Sequence, residues 1–168
     1  YQQVFFDLTG TDTSDTLWLK DDATTGNGLM SYSWNFGTDW TAFSLSNNLM
    51  IDLGGGDDTV VIQGFDSSFA SLLRVYGGGG DDAITVNAGV VINAGQLEFS
   101  AENIAINSGA TLTATAHDSY TGAITLTAQA DGTGLLAGVL EDAVTSVFGD
   151  DGVGAIIADY VNNVGLPF

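Results

Sequence analysis

A chain of 168 residues, 45% of them hydrophobic, suffices for one domain that buries roughly 70% of its unfolded surface, which excludes wholesale disorder. Its 21 Asp and Glu against two basic residues, Lys20 and Arg74, give a net charge of −19, which excludes nucleic acid and anionic membranes as partners. The lack of cysteine excludes disulfides and thiolate metal sites, and no apolar run approaches the roughly 20 residues of a membrane-inserted helix.

Tyr1 opens the chain with neither a methionine nor a basic leader, which reads as a piece of a longer or processed protein. Residues 4–8 and 16–19 are apolar, β-branched or aromatic runs around a polar turn, and predict strands. Asp15-Thr16-Leu17 matches Asp58-Thr59-Val60 further on, so this first turn reads as a degenerate copy of a later one. Residues 29–36 alternate apolar with polar side chains, as a half-buried strand does. Gly37-Thr38-Asp39-Trp40 follows as a further Asp-bearing turn, with Asp39 placed 24 residues after Asp15. Tyr32, Trp34, Phe36, Trp40 and Phe43 crowd this region. Such bulk suits a cap or core layer at the end of a stack; the alternative is a platform of flat rings for cell-surface carbohydrate.

The centre of the chain carries two glycine turns. Gly77-Gly78-Gly79-Gly80-Asp81-Asp82-Ala83-Ile84-Thr85 fits every fixed position of the nonapeptide G-G-x-G-x-D-x-U-x. Leu53-Gly54-Gly55-Gly56-Asp57-Asp58-Thr59-Val60-Val61 departs from it only at Leu53. Asp58 and Asp82 lie 24 residues apart. If those residues form one coil of a solenoid, the turns stack at a spacing of about 4.8 Å and bring Asp57, Asp58, Asp81 and Asp82 together. Carboxylates about 5 Å apart repel by roughly 1 kcal/mol in water and by more near a protein surface, so the stack favours a cation. Calcium, which takes roughly six to eight oxygens, suits a turn of carbonyls and aspartates. The plainer alternative is that the Gly-Asp turns only connect strands.

These two stretches resemble the RTX, or haemolysin-type calcium-binding, repeats of secreted bacterial proteins, although the interval between them is longer than that family's usual one. Matched position by position, the resemblance implies Asp58 and Asp82 as carboxylate ligands and Gly54, Gly56, Gly78 and Gly80 as the carbonyl-bearing turn around Ca2+. Asp57 and Asp81 join the candidate metal residues through the stacking argument.

Downstream, Ile84-Thr85-Val86-Asn87-Ala88-Gly89 is followed twenty residues later by Ile104-Ala105-Ile106-Asn107-Ser108-Gly109, and Ile124-Thr125-Leu126 follows after twenty more. The same register pairs Ile92 with Leu112 and stacks Asn87 on Asn107. This stretch also resembles, with weaker signals, the β-helices of filamentous-haemagglutinin-like adhesins. An aligned, solvent-facing set of Thr113, Thr115, Thr125 and Thr127 would suit carbohydrate or ice. His117 beside Asp118 reads as polar surface, and Arg74 as the partner of a nearby carboxylate.

The expected fold is all-β, a parallel β-helix with coils of about 20–24 residues. Residues 1–131 form the solenoid, and residues 132–168 a capping or inserted segment of the same domain. There, apolar spacing over 136–147 predicts a helix, with a second short one over 155–161; further irregular strands are the alternative. The expected function is structural and non-enzymatic: a calcium-stabilised segment of a secreted or cell-surface protein that serves adhesion, matrix or filaments. Its expected partners are calcium and further copies or repeats joined end to end. The alternative class is a carbohydrate-binding or polysaccharide-modifying β-helix.

Overall fold

A computed structural model describes residues 5–24, 26–34, 36–45, 48–116 and 118–128, together with the strand Ile156–Ala158. Every regular element among them is a strand: β1 (Phe5–Thr9), β2 (Thr16–Asp21), β3 (Leu29–Ser33), β4 (Thr41–Ser44), β5 (Asn48–Asp52), β6 (Thr59–Ile62), β7 (Leu72–Tyr76), β8 (Ala83–Val86), β9 (Val91–Ala94), β10 (Gln96–Ala101), β11 (Asn103–Ile106), β12 (Thr111–Ala114), β13 (Ile124–Ala128) and β14 (Ile156–Ala158). They form a parallel β-solenoid of about three turns.

The first wall runs β1-β5-β7-β10-β13-β14, the second β11-β8-β6-β2-β3-β4, and a two-stranded third wall pairs β9 with β12. Because side chains alternate across a strand, in-register stacking turns each sequence alternation into a column. On the first wall Leu8, Ile51, Val75 and Phe99 stack inward, as do Leu49, Leu73 and Leu97. On the second, Leu17, Val60, Ile84 and Ile104 form one inward column, and Leu19, Ile62 and Val86 another. Each such aliphatic side chain contributes about 1.5–3 kcal/mol on burial, and these columns form the single core.

The outward columns are mixed, with Asp7, Met50, Arg74, Glu98 and Thr125 stacked on the first wall and Trp18, Val61, Thr85 and Ala105 on the second. Arg74 and Glu98 are register partners on β7 and β10, joined by a 2.6 Å ion pair from Nε to Oε2. Burial pushes the Glu98 carboxyl up, but Arg74, Gln96 and Tyr76 outweigh it and hold the group below its ordinary 4.5. A depressed carboxyl contributes stability above its unfolded value, and that stability is lost as pH falls through the folded value. Glu98→Gln is therefore expected to lower stability by about 1–3 kcal/mol at pH 7, with the difference shrinking in strong acid. Urea unfolding at the two pH values measures it.

Three expectations are corrected. Ile124 does not continue the column of Ile104; it pairs with Leu97, 27 residues back, on the first wall. The loop after β12 replaces the tight turn at Gly95, so the twenty-residue interval is a coincidence there. Thr113 consequently lies on β12 in the third wall while Thr125 and Thr127 lie on β13 in the first, and they share no face. The short helix over 155–161 gives way at Ile156–Ala158 to β14, which adds in parallel to the open edge of β13. The helix over 136–147 and His117 lie outside the described residues.

Candidate functional site

The corner between the first and second walls is where the sequence motif resides. In successive coils it consists of residues 10–15, 53–58 and 77–82, and then of Glu102 alone between β10 and β11. The glycines are there because the turns lie directly on one another. Gly54, Gly56, Gly78 and Gly80 have φ of 92°, 118°, 113° and 141°, a region closed to most other residues. A Cβ on Gly78 would run into the Gly54 carbonyl oxygen, and one on Gly80 into that of Gly56. Backbone bonds lock the stack: Gly79 N–H donates to Gly54 O at 2.9 Å and Gly56 N–H to Gly79 O at 2.8 Å.

Beside the glycines runs a column of acids. The register places Asp15, Asp58, Asp82 and Glu102 one above another, each immediately before a strand of the second wall. The Asp58, Asp82 and Glu102 carboxylates each cap the amide of the acid in the coil before, while that of Asp15 accepts from Thr11 N–H in its own turn. Asp15 N–H donates to Asp58 Oδ1 at 2.6 Å, Asp58 N–H to Asp82 Oδ1 at 2.9 Å, and Asp82 N–H to Glu102 Oε2 at 2.8 Å. The reciprocal backbone bonds run from Thr59, Ala83 and Asn103 N–H to the carbonyls of Asp15, Asp58 and Asp82 at 2.8–2.9 Å. Buried amides need acceptors, and here the acid ladder supplies them.

The expected convergence of four aspartates resolves into two columns, because neighbouring residues point to opposite sides. Asp58 and Asp82 are each 1% exposed, whereas Asp57 and Asp81 are exposed, with Asp81 N–H donating to Asp57 Oδ1 at 3.1 Å. Burial, helped by Asp82, Asp15 and Asp57, raises the Asp58 carboxyl above its ordinary range, and burial also raises Glu102. The second carboxylate oxygens of Asp58 and Asp82 are buried without a hydrogen-bond partner.

Those two oxygens are what the corner offers a cation. Around them, the Gly54 and Gly79 carbonyls accept amides of the adjoining coil, and the Asp82 carboxyl packs against Gly77. Among the described residues, no three His, Cys, Asp or Glu side chains come together as a metal-holding group.

Comparison of the chain with protein-family models, with curated proteins and with solved structures finds no match.

Two members of the column lie outside the glycine motif. Asp15, marked in the sequence by Asp-Thr-Leu, is joined to the column through the 43-residue first coil. Glu102 stands in a one-residue corner with no glycine; its signal is the twenty-residue interval from Asp82, the same that separates Ile84 from Ile104. Asp39, expected as a further turn of this kind, instead lies in the connection between β3 and β4, outside the column.

Proposed function

We propose that the chain is a structural, non-catalytic segment of a secreted or cell-surface protein, a β-solenoid rod for adhesion, matrix or filament material. The observation that carries this reading is the acid–amide column: the corner holds its own backbone hydrogen bonds from coil to coil and directs its buried carboxylates to capping. The outward acids leave a highly charged, water-loving surface that suits a rod at high salt. The RTX-like glycine turns favour an extracellular setting, where millimolar calcium bathes modest-affinity sites.

The orphaned Asp58 and Asp82 oxygens favour a second reading, in which the same corner takes up Ca2+. When bound, the ion would supply charge neutralisation between the two buried acids and so couple rigidity to export. Thermal unfolding followed by circular dichroism, in millimolar calcium and in excess chelator, separates the two. The self-supporting rod predicts a cooperative β-sheet melt in chelator. Calcium coupling predicts an unfolded or strongly destabilised chain in chelator and rescue by the ion, worth about 2.7 kcal/mol at a hundred times the dissociation constant. That rescue would vanish in Asp58→Asn/Asp82→Asn.

A further inference from the structure

Between β2 and β5 the chain leaves the stack of coils, runs out and back as β3 and β4, and returns. β3 pairs antiparallel with β2 and β4 with β3, whereas β6 adds to the other edge of β2 in parallel, as the coils do. The hairpin covers one end of the core. Met30 is fully buried, and the Phe43 ring stacks on Phe6 of β1 with centroids 4.5 Å apart. Tyr32 packs against Phe43 at 5.8 Å. Contacts that fasten the base of this hairpin therefore keep that end of the core shut.

The base contains Asn27-Gly28, the one Asn-Gly pair in the sequence. Such a pair is able to modify itself, because no glycine side chain shields the backbone nitrogen from the asparagine side chain. The Gly28 nitrogen attacks Asn27 Cγ, and the new C–N bond closes a five-membered succinimide. The Cγ–Nδ2 bond breaks, and Nδ2 leaves as ammonia with the proton that the Gly28 amide gives up. Water then opens the ring at one of its two carbonyls. One opening gives Asp; the other gives isoaspartate, in which the main chain runs through the former side chain.

In the folded base every group this reaction needs is held. Leu29 N–H donates to Asn27 Oδ1 at 2.9 Å, and Asn27 Nδ2 donates to Asp22 Oδ2 at 2.9 Å. Asp66, fully buried in the loop between β6 and β7, accepts from Asn27 N–H at 3.0 Å and also from Gly28 N–H, the attacking nitrogen. Gly28 O accepts from Leu45 N–H at 2.8 Å, which ties the outgoing chain to the returning one. Side chain and backbone are free to turn toward each other only when these bonds open. Asn27 itself is exposed, so water for the second step is at hand.

Neither product rebuilds the base. Asp at position 27 has no N–H to give Asp22 and instead meets it as a second carboxylate, where like charges repel. Isoaspartate lengthens the main chain by a methylene between the two amides that Asp66 holds together.

We propose that Asn27-Gly28 is a self-modification site latched by Asp66 and Asp22: local opening of the hairpin base releases it to deamidate, and deamidation makes the opening permanent. The modified fraction thus records how often this end of the core has opened.

The test follows deamidation at Asn27 by peptide mass spectrometry at neutral pH, in the native chain and in a free peptide of residues 20–32. The native chain is expected to react at least about tenfold more slowly than the peptide. Asp66→Ala and Asp22→Ala are expected to move the rate toward that of the peptide, and Gly78→Ala, in the distant corner, to leave it unchanged. The deamidated chain, separated by its added charge, is expected to melt below the native one. A native rate equal to the peptide's, folded variants that react as slowly as the native chain, or a deamidated chain as stable as the native one overturns the proposal. So does acceleration by Gly78→Ala, which would assign the reaction to global unfolding. If Asp66→Ala does not fold, Asp22→Ala decides, since Asp22 is exposed.

Discussion

Gly78→Ala is expected to lower stability by about 3 kcal/mol or more, while Gly79→Ala, one residue on, is expected to be neutral within about 1 kcal/mol. The contrast follows from the turn's geometry. At Gly78 the backbone has φ of 113° and an added Cβ would meet the carbonyl of Gly54 in the coil before it. Neither the backbone nor the neighbouring turn can yield without separating the stacked coils. At Gly79 nothing lies within 4 Å of an added Cβ, and its amide bond to Gly54 O survives the substitution. Chemical denaturation of the two variants measures the difference. Equal losses at both positions would mean that the turns are not stacked on one another.

The second large effect is at Asp82, where the two obvious substitutions are expected to part. Asp82→Ala removes the acceptor for the buried Asp58 amide and is expected to cost about 1–3 kcal/mol, the range for a buried donor left unsatisfied. Asp82→Asn keeps an acceptor oxygen there. It also removes a buried negative charge that presses on Asp58 and whose second oxygen has no partner. In chelator it is expected to stay within about 1 kcal/mol of the native chain or above it, since a buried neutral amide is less costly than a buried charge. Urea unfolding in chelator distinguishes them. If the asparagine variant falls as far as the alanine one, the charge and not the capping bond holds the corner.

Much of the architecture was legible because a solenoid writes its period into the chain. The pairs Ile84 with Ile104 and Ile92 with Leu112 come directly from a repeated strand and turn, and the glycine turns gave the 24-residue stack of Asp58 on Asp82. What the sequence concealed is which intervals count. Asp39 stands 24 residues after Asp15 and Ile124 twenty after Ile104, yet neither pair stacks. An excursion such as the β3–β4 hairpin lengthens one coil to 43 residues while keeping the same alternation of apolar and polar residues that a solenoid strand shows. Alternation reports that one face is buried and leaves open whether the neighbour is parallel or antiparallel.

The candidate site was legible in part for a related reason. The motif marks Asp58 and Asp82 because glycine is sterically compelled at Gly54, Gly56, Gly78 and Gly80 wherever turns stack this closely. The same compulsion explains the pattern without an ion, so composition alone could not separate a calcium turn from a self-capped corner. Glu102 lacked any glycine to announce it, and only the register reveals that its carboxylate closes the ladder.

Amide hydrogen exchange at Asp58, followed by NMR in chelator, tests the ladder most directly. The account predicts slow exchange in the native chain, slow exchange in Asp82→Asn, and exchange accelerated well beyond that of the neighbouring Val60 and Ile62 amides in Asp82→Ala. An Asp58 amide as protected in Asp82→Ala as in the native chain would contradict the claim that one coil's carboxylate caps the backbone of the coil before it.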